Sequence, residues 1–110
     1  MLYSIFAYDF PDSLPIREKA RPAHVARLKA LHSAGRLILA GPNPSIDTIQ
    51  PGNAGFSGSL IVAKFPSLEE AELWASEDPY LIAGAYEKVE VKPFKQVLPV
   101  PEAIVEQQDT

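Results

Sequence analysis

His24 is the side chain in this sequence best suited to proton chemistry. The chain has two histidines and no cysteine, and imidazole is the side chain that ordinarily changes charge near neutral pH. His24 shares a helical stripe with Leu28 and Leu31, which predicts a half-buried ring facing the core. Pro22 fits the first turn of that helix, and Arg21 lies beside it. Partial burial, a helix N-terminus and a neighbouring arginine all disfavour the protonated ring, so we predict a neutral imidazole that can accept a proton.

The same histidine also has a purely structural interpretation. A lone histidine on the apolar face of a helix is more often a core residue with satisfied hydrogen bonds than a catalytic base. His32 lies two turns further along the helix, too far for both rings to bind one metal ion, so we predict no metal site. Residues 52–55 lack the lysine and the strand-to-helix context of a phosphate-binding loop. We therefore predict chemistry without a cofactor.

Other polar and aromatic side chains are candidates for contacting a substrate. Arg21 could hold an anionic group through its planar guanidinium, or form a surface ion pair with Glu18. Ser59, at the start of a predicted strand, could donate a hydrogen bond to substrate, or simply flank the strand. Tyr80 and Phe56 could line a pocket, or pack as ordinary core aromatics. Each side chain keeps both interpretations at the level of the sequence.

The composition predicts one ordinary globular domain. The chain has 110 residues, 46% of them hydrophobic, and a net charge of -4. A nucleic-acid-binding domain would be basic, so we predict no nucleic-acid partner. The first residues carry no basic segment or long apolar run, which predicts neither a signal peptide nor a membrane span. The absence of cysteine excludes disulfides, thiolate metal sites and a cysteine nucleophile, and a cytoplasmic location is the default prediction.

Hydrophobic periodicity and turn residues divide the chain into strands and helices. We predict strands over 2–8, 36–40, 58–65 and 86–91, the last interrupted at Pro93 and open to extension over 94–97. We predict a helical turn over 16–20, a helix over 22–34, a second helix that follows Ser67 and ends at Asp78-Pro79, and a further short turn through Ile82. Ser67 and Glu70 form a capping box, and the Gly- and Pro-rich segment 41–57 is predicted to be a long loop over the site. The order β-α-β-β-α-β is typical of the ferredoxin-like α+β fold, with a four-stranded antiparallel sheet and helices on one face.

The uncovered face of this sheet predicts a homodimer. The first and third strands are apolar on both sides, and a bare apolar sheet face would be a large exposed patch. We predict that a second copy covers it, sheet against sheet. The domain is predicted to span residues 1–98, and residues 99–110 form a tail that is either mobile or packed on the partner subunit.

Several short motifs, taken together, resemble the YciI-like (YCII-related) family over residues 1–98. The motifs are Arg21-Pro22-Ala23-His24, Ala40-Gly41-Pro42, Gly55-Phe56-Ser57-Gly58-Ser59, Asp78-Pro79-Tyr80 and Val91-Lys92-Pro93-Phe94. The resemblance implies a dimeric ferredoxin-like α/β barrel, as in muconolactone isomerases, with an active site built around a histidine and an aspartate. By motif these residues are His24 and Asp78. One branch of the family is a dehydrochlorinase acting on chlorinated hydroxyhydroquinones.

A histidine–aspartate pair is a familiar general base unit. The carboxylate fixes the ring tautomer and stabilises the imidazolium that forms when the ring takes a proton. Asp78 precedes Pro79, however, and an aspartate there is often only a helix cap. His24 is predicted at the start of one helix and Asp78 after the other, so the two need not meet within one subunit. Either the residues after Asp78 return it to His24, or the partner subunit supplies it.

The sequence therefore predicts a small dimeric enzyme that needs no cofactor. We expect lyase- or isomerase-like proton transfer on a small, aromatic or enol-bearing substrate, with His24 as the base or acid and Asp78 as its partner. Arg21, Ser59 and Tyr80 are the predicted substrate-binding residues. The alternative is a non-catalytic module that binds a small metabolite in the same pocket.

Overall fold

The computed structural model describes residues 1–101, which form one antiparallel sheet with helices on one face. The sheet order is β2-β3-β1-β4. The elements are β1 (Leu2–Asp9), α1 (Leu14–Ser33), β2 (Leu37–Pro44), a short 3-10 turn (Gly52–Ala54), β3 (Phe56–Lys64), α2 (Leu68–Ser76), α3 (Pro79–Ile82) and β4 (Tyr86–Phe94). This arrangement confirms the predicted ferredoxin-like fold. The predicted role of the tail concerns residues that lie mostly outside the described part of the chain.

The core forms between the helices and one face of the sheet. In β1, Tyr3 and Ile5 stand opposite Ala63 and Ile61 of β3, and all four side chains point toward the helices. The helices contribute Leu31, Ala71 and Ala75 to the same cluster. Strict alternation along β1 and β3 determines which residues enter this core, because successive side chains of a strand point to opposite faces.

The opposite face of the sheet is apolar at its centre and is not covered by any helix in the described residues. Phe6 of β1 pairs with Leu60 of β3 on this face. Around them Tyr8, Leu39 and Phe94 are 43%, 48% and 40% exposed. Both faces of β1 and β3 are thus apolar, as their sequences predicted.

Helix α1 begins earlier than predicted. It is one helix from Leu14 to Ser33, rather than a separate turn followed by a helix that starts at Pro22. Pro15 occupies the first helical turn, where a proline is tolerated, and Pro22 lies inside the helix. Its ring removes one backbone hydrogen bond and crowds the carbonyl four residues earlier, yet the helix continues through it to Ser33. His24 therefore lies in the middle of α1, and the predicted helix N-terminus beside it was wrong.

Two strands are longer than predicted for a common reason. β2 continues to Pro44, so the predicted loop over 41–57 is shortened to the segment between Pro44 and Phe56. β4 runs through Pro93, where an interruption was predicted, and ends at Phe94. Both are edge strands, with a neighbour on one side only. Proline is compatible with an edge strand because its missing N–H can face away from the ladder.

Within residues 1–101, no helix combines the length and the apolar character that crossing a bilayer requires.

Candidate active site

His24 and Asp78 meet in a direct hydrogen bond within one chain. The distance between His24 Nδ1 and Asp78 Oδ1 is 2.8 Å, and the two side chains are 8% and 4% exposed. The contact forms because α3 turns the chain back after α2 and packs against α1 through Tyr80, Ile16 and Ala20. Because His24 lies in the middle of α1 rather than at its end, its ring comes within hydrogen-bond distance of Asp78. The structure thus joins two residues that lie 54 positions apart in the sequence.

One carboxylate oxygen of Asp78 accepts two hydrogen bonds. Its Oδ1 accepts a hydrogen bond from the Tyr80 backbone N–H at 2.9 Å, which caps the N-terminus of α3, and a second one from His24. The cap and the histidine contact therefore coexist, although the sequence presented them as alternatives. A carboxylate oxygen can only accept here, so Nδ1 carries the hydrogen, and in the neutral form of the ring Nε2 is then the nitrogen with the free lone pair. Nε2 makes no hydrogen bond with any residue in the range 1–101.

Two tyrosines hold the imidazole ring in place. Tyr80 stacks on His24 with a centroid separation of 3.9 Å and an interplanar angle of 15°, and Tyr86 meets the His24 ring edge-on at 6.5 Å. Burial is the main factor that raises the pKa of Tyr80, and burial likewise raises the pKa of Tyr86. Both hydroxyls therefore stay protonated at neutral pH and cannot act as the base.

A cavity of about 280 Å³ opens beside His24 between α1, β2 and β3. Its lining is mostly apolar, and the polar groups that reach it come chiefly from α1. The polar and aromatic lining residues are Arg17, Glu18, Arg21, His24, Phe56, Ser59 and Tyr80. A small concave site with apolar walls and a few converging polar groups is typical of a site for a small organic ligand.

The substrate-binding residues predicted from sequence line this cavity, but in different settings. Ser59 and Tyr80 are buried at 5% and 4% exposure, whereas Arg21 is exposed and makes no ion pair within residues 1–101. Phe56 lines the cavity as well. Asp78 is not a lining residue and reaches the cavity only through the His24 ring. The roles of all these residues in binding or catalysis stay predictions.

Arg17 is a buried polar residue of the lining that was not predicted from the sequence. It is one of three buried residues of α1, together with His24 and Leu31, and the three follow one another at intervals of seven. Residues seven apart lie on nearly the same side of a helix, so this spacing could have revealed Arg17. The signal was lost because Arg17 was placed in a separate helical turn before the predicted helix, so the spacing to His24 was not read along one helix.

Arg17 forms a buried ion pair with Asp9. Nε donates to one carboxylate oxygen at 2.6 Å, and Nη2 donates to the other at 2.9 Å. Nη2 also lies 2.8 Å from the Gly58 carbonyl oxygen and 3.0 Å from Ser59 Oγ. Burial acts to lower the pKa of Arg17, but the hydrogen bonds and charge of Asp9 outweigh it and the pKa is raised. The guanidinium is therefore permanently charged.

Glycine at position 58 allows this arrangement. An added Cβ there would lie 2.1 Å from the Ala7 carbonyl oxygen, a separation that no real side chain tolerates. The close approach of β1 and β3 at Gly58 sets the carbonyl that accepts from Arg17 and positions Ser59 next to it.

No group of three or more His, Asp or Glu side chains in the described range comes together in a way that could hold a metal ion.

Comparisons with known proteins agree on one family. Residues 1–95 match the family model described as the YCII-related domain. Protein YciI of Escherichia coli O6:H1 (strain CFT073) is 58% identical over 97 residues, which cover 88% of this chain and 99% of that protein. A Haemophilus influenzae protein is 52% identical with the same coverage.

One solved structure combines a similar fold with a bound ligand. It is 5-chloro-2-hydroxyhydroquinone dehydrochlorinase (TftG) from Burkholderia phenoliruptrix AC1100, in complex with 2,5-dihydroxybenzoquinone. It is 27% identical, has a TM-score of 0.76, and the match covers 86% of this chain and 94% of that one.

Proposed function

This chain belongs to the YCII-related domain family, and we propose that it is a small enzyme in which His24 and Asp78 transfer a proton to and from a small cyclic substrate. The observation that carries the proposal is the 2.8 Å hydrogen bond between the two side chains beside a cavity of about 280 Å³. A buried histidine whose other ring nitrogen is bound to a carboxylate is well arranged for general base catalysis.

The proton follows a short path. His24 Nε2 takes a proton from an acidic C–H or O–H group of the substrate, and the electron pair left behind forms an enolate. Asp78 stabilises the imidazolium that results, and Tyr80 keeps the ring in plane for the transfer. In an elimination the enolate expels a leaving anion, and in an isomerisation His24 returns the proton to another atom. Both outcomes balance without a further reagent.

The substrate class is supported by the size of the cavity and by the structural relative. The dehydrochlorinase acts on a chlorinated hydroxyhydroquinone, and its bound ligand is a planar dihydroxyquinone. A cavity of about 280 Å³ has room for one such ring, and the apolar walls suit its faces. We therefore propose a planar, oxygen-rich ring or a comparable enol as the substrate.

The base role of His24 is tested by the variant His24→Gln. The wild-type chain is offered 5-chloro-2-hydroxyhydroquinone, with chloride release as the readout, and a panel of cyclic enols and 1,3-diketones, with deuterium uptake from solvent followed by NMR. We expect turnover or exchange by the wild type, and a rate lower by about 10²- to 10⁴-fold in His24→Gln, because a general base contributes a factor of this size.

The chain offers a matched control for this test in His32→Gln. His32 lies on the same helix and is exposed, so its loss should leave the rate unchanged. Circular dichroism and thermal unfolding verify the fold of both variants. Tight binding of panel members with neither turnover nor exchange would contradict the enzyme and support the non-catalytic, metabolite-binding module instead.

We propose further that the chain is a homodimer joined through the open sheet face. The support is the apolar centre of that face, where Phe6 and Leu60 pair without a covering helix in residues 1–101. Such a patch is normally an interaction site. Sedimentation at micromolar concentration should give a dimer, and Leu60→Lys at the centre should give a monomer. Leu73→Lys on α2, where the side chain is 53% exposed, is the control that should stay dimeric. A monomeric wild-type chain would contradict the proposal.

A further inference from the structure

Arg17 has hydrogen-bond donors that its structural contacts do not use. Its bonds to Asp9, Gly58 and Ser59 run from Nε and Nη2 alone. Nη1 carries two further N–H groups that take no part in these four bonds, and the Tyr80 hydroxyl is a further hydrogen-bonding neighbour of the guanidinium. Because Arg17 lines the cavity beside His24, the Nη1 edge that Tyr80 does not occupy is available to a molecule bound there.

Ser59 supplies a third donor at the same place. Its Oγ accepts a hydrogen bond from Arg17 Nη2 at 3.0 Å, which occupies one lone pair and leaves the hydroxyl hydrogen free to turn elsewhere. Ser59 is 5% exposed and lines the cavity, so this hydrogen can go either to a bound ligand or to the neighbouring buried hydroxyl of Tyr86. A guanidinium edge and a hydroxyl thus converge on one part of the cavity wall.

Two of the three charged side chains that line this wall are positive. The charged groups in the lining are Arg17, Arg21 and Glu18, while Asp9 contacts the far edge of the Arg17 guanidinium and is not in the lining. Asp9 also fixes the orientation of that group through two hydrogen bonds. Donors held in advance of binding stabilise a negative oxygen more effectively than donors that must first be ordered.

The donors and the base border the same stretch of the cavity. The Tyr80 ring contacts both, with the His24 ring centroid 3.9 Å from its own centroid and the Arg17 Cζ atom at 4.8 Å. When His24 removes a proton from a substrate, negative charge develops on a conjugated oxygen. Arg17 and Ser59 lie on the side of the cavity where such an oxygen can be bound.

We propose that Arg17 Nη1 and Ser59 Oγ form an oxyanion-binding subsite, which selects planar ring substrates carrying an enolate, phenolate or quinone oxygen. This inference rests on the proposed function, since it assigns the substrate class of the same cavity. It differs from the prediction made for Arg21, because the selecting arginine is the buried one and not the exposed one.

The experiment compares two probes that differ in charge but share a ring. One is 2,5-dihydroxybenzoquinone, which is anionic at neutral pH, and the other is 2,5-dimethoxybenzoquinone, which is neutral. Titration calorimetry of the wild-type chain at pH 7 should show tighter binding of the dihydroxy compound by at least about tenfold, as expected for charge-assisted hydrogen bonds. Equal binding, or binding of neither probe, would overturn the subsite.

Variants assign the preference to particular residues. Arg17→Lys keeps a positive charge next to Asp9 but removes the guanidinium edge, so it should lose most of the tenfold preference while binding the dimethoxy compound as before. The double variant Asp9→Asn/Arg17→Gln removes the pair together and serves if Arg17→Lys folds poorly. Arg36→Lys, at an arginine outside the cavity lining, is the matched control and should keep the preference. Loss of the preference in Arg36→Lys, or its retention in a folded Arg17 variant, would contradict the assignment.

The oxyanion-binding subsite is tested by binding alone and the enzyme by turnover. Failure of one proposal can therefore be distinguished from failure of the other. In His24→Gln the probe preference should persist while the chemistry is lost. A chain that shows the preference without any catalysis would contradict the enzyme and leave the subsite standing.

Discussion

The variant Asp78→Asn is expected to lower turnover by about 10²- to 10⁴-fold with little change in stability. Asparagine is as good a helix cap as aspartate, and its side-chain oxygen can accept the same two hydrogen bonds, from the Tyr80 N–H and from His24 Nδ1. What the substitution removes is the negative charge that stabilises the imidazolium after proton transfer. The loss of rate should therefore fall on kcat more than on KM.

Asp78→Ala is the matching variant for the structural role. It removes the cap of α3 as well as the charge, and loss of a cap lowers the free energy of unfolding by about 0.5–2 kcal/mol. It also leaves His24 Nδ1 without its acceptor. Urea unfolding of both variants, together with rates on whichever compound the wild type turns over, separates the two roles. Full activity in Asp78→Asn would mean that Asp78 is only a helix cap.

The variant Arg17→Met is expected to lower the free energy of unfolding by about 3–5 kcal/mol. Arg17 and Asp9 are 5% and 1% exposed at their side chains, so the substitution leaves a buried carboxylate without its counter-ion. Only the Ser13 hydroxyl would still donate to that carboxylate among its present side-chain partners. A loss of this size is a large part of the stability of a small domain.

The double variant Asp9→Asn/Arg17→Met tests the reason for that loss. Removing both charges avoids the unpaired carboxylate, and buried ion pairs can often be replaced together at small cost. We expect the double variant to recover more than half of the stability lost in Arg17→Met, as measured by urea unfolding at neutral pH. A double variant as unstable as Arg17→Met would show that the guanidinium stabilises the fold through its contacts with Gly58 and Ser59 instead.

The fold was predictable because its signals are local and repeated. Apolar alternation in 2–8 and 58–65 marked the central strands, and the Ser67 hydroxyl does accept from the Glu70 N–H at the start of α2, at 3.1 Å. The order β-α-β-β-α-β is then compatible with only a few sheet topologies. The edge strands were less predictable, since Pro44 and Pro93 indicate loops in isolation and are tolerated only because each strand has one free edge.

The start of α1 shows why the site was harder to predict. Pro15 and Pro22 are both acceptable in a first helical turn, and local sequence does not choose between them. Starting the helix at Pro22 placed His24 at a helix end and separated Arg17 from the helix that carries His24. Packing of α1 against the sheet and α3 determines the true start, and these contacts come from distant parts of the chain.

The sequence by itself determined the type of fold, the presence of His24 on a core-facing stripe, and, through the family motifs, Asp78 as its candidate partner. The tertiary structure alone decided that the two side chains meet in one chain, that Asp78 caps α3 with the same oxygen, and that Arg17 rather than Arg21 is the buried arginine of the cavity. The physical reason is distance along the chain. Periodicity reports what faces the core within one element, whereas a hydrogen bond between α1 and the start of α3 depends on how separate elements pack.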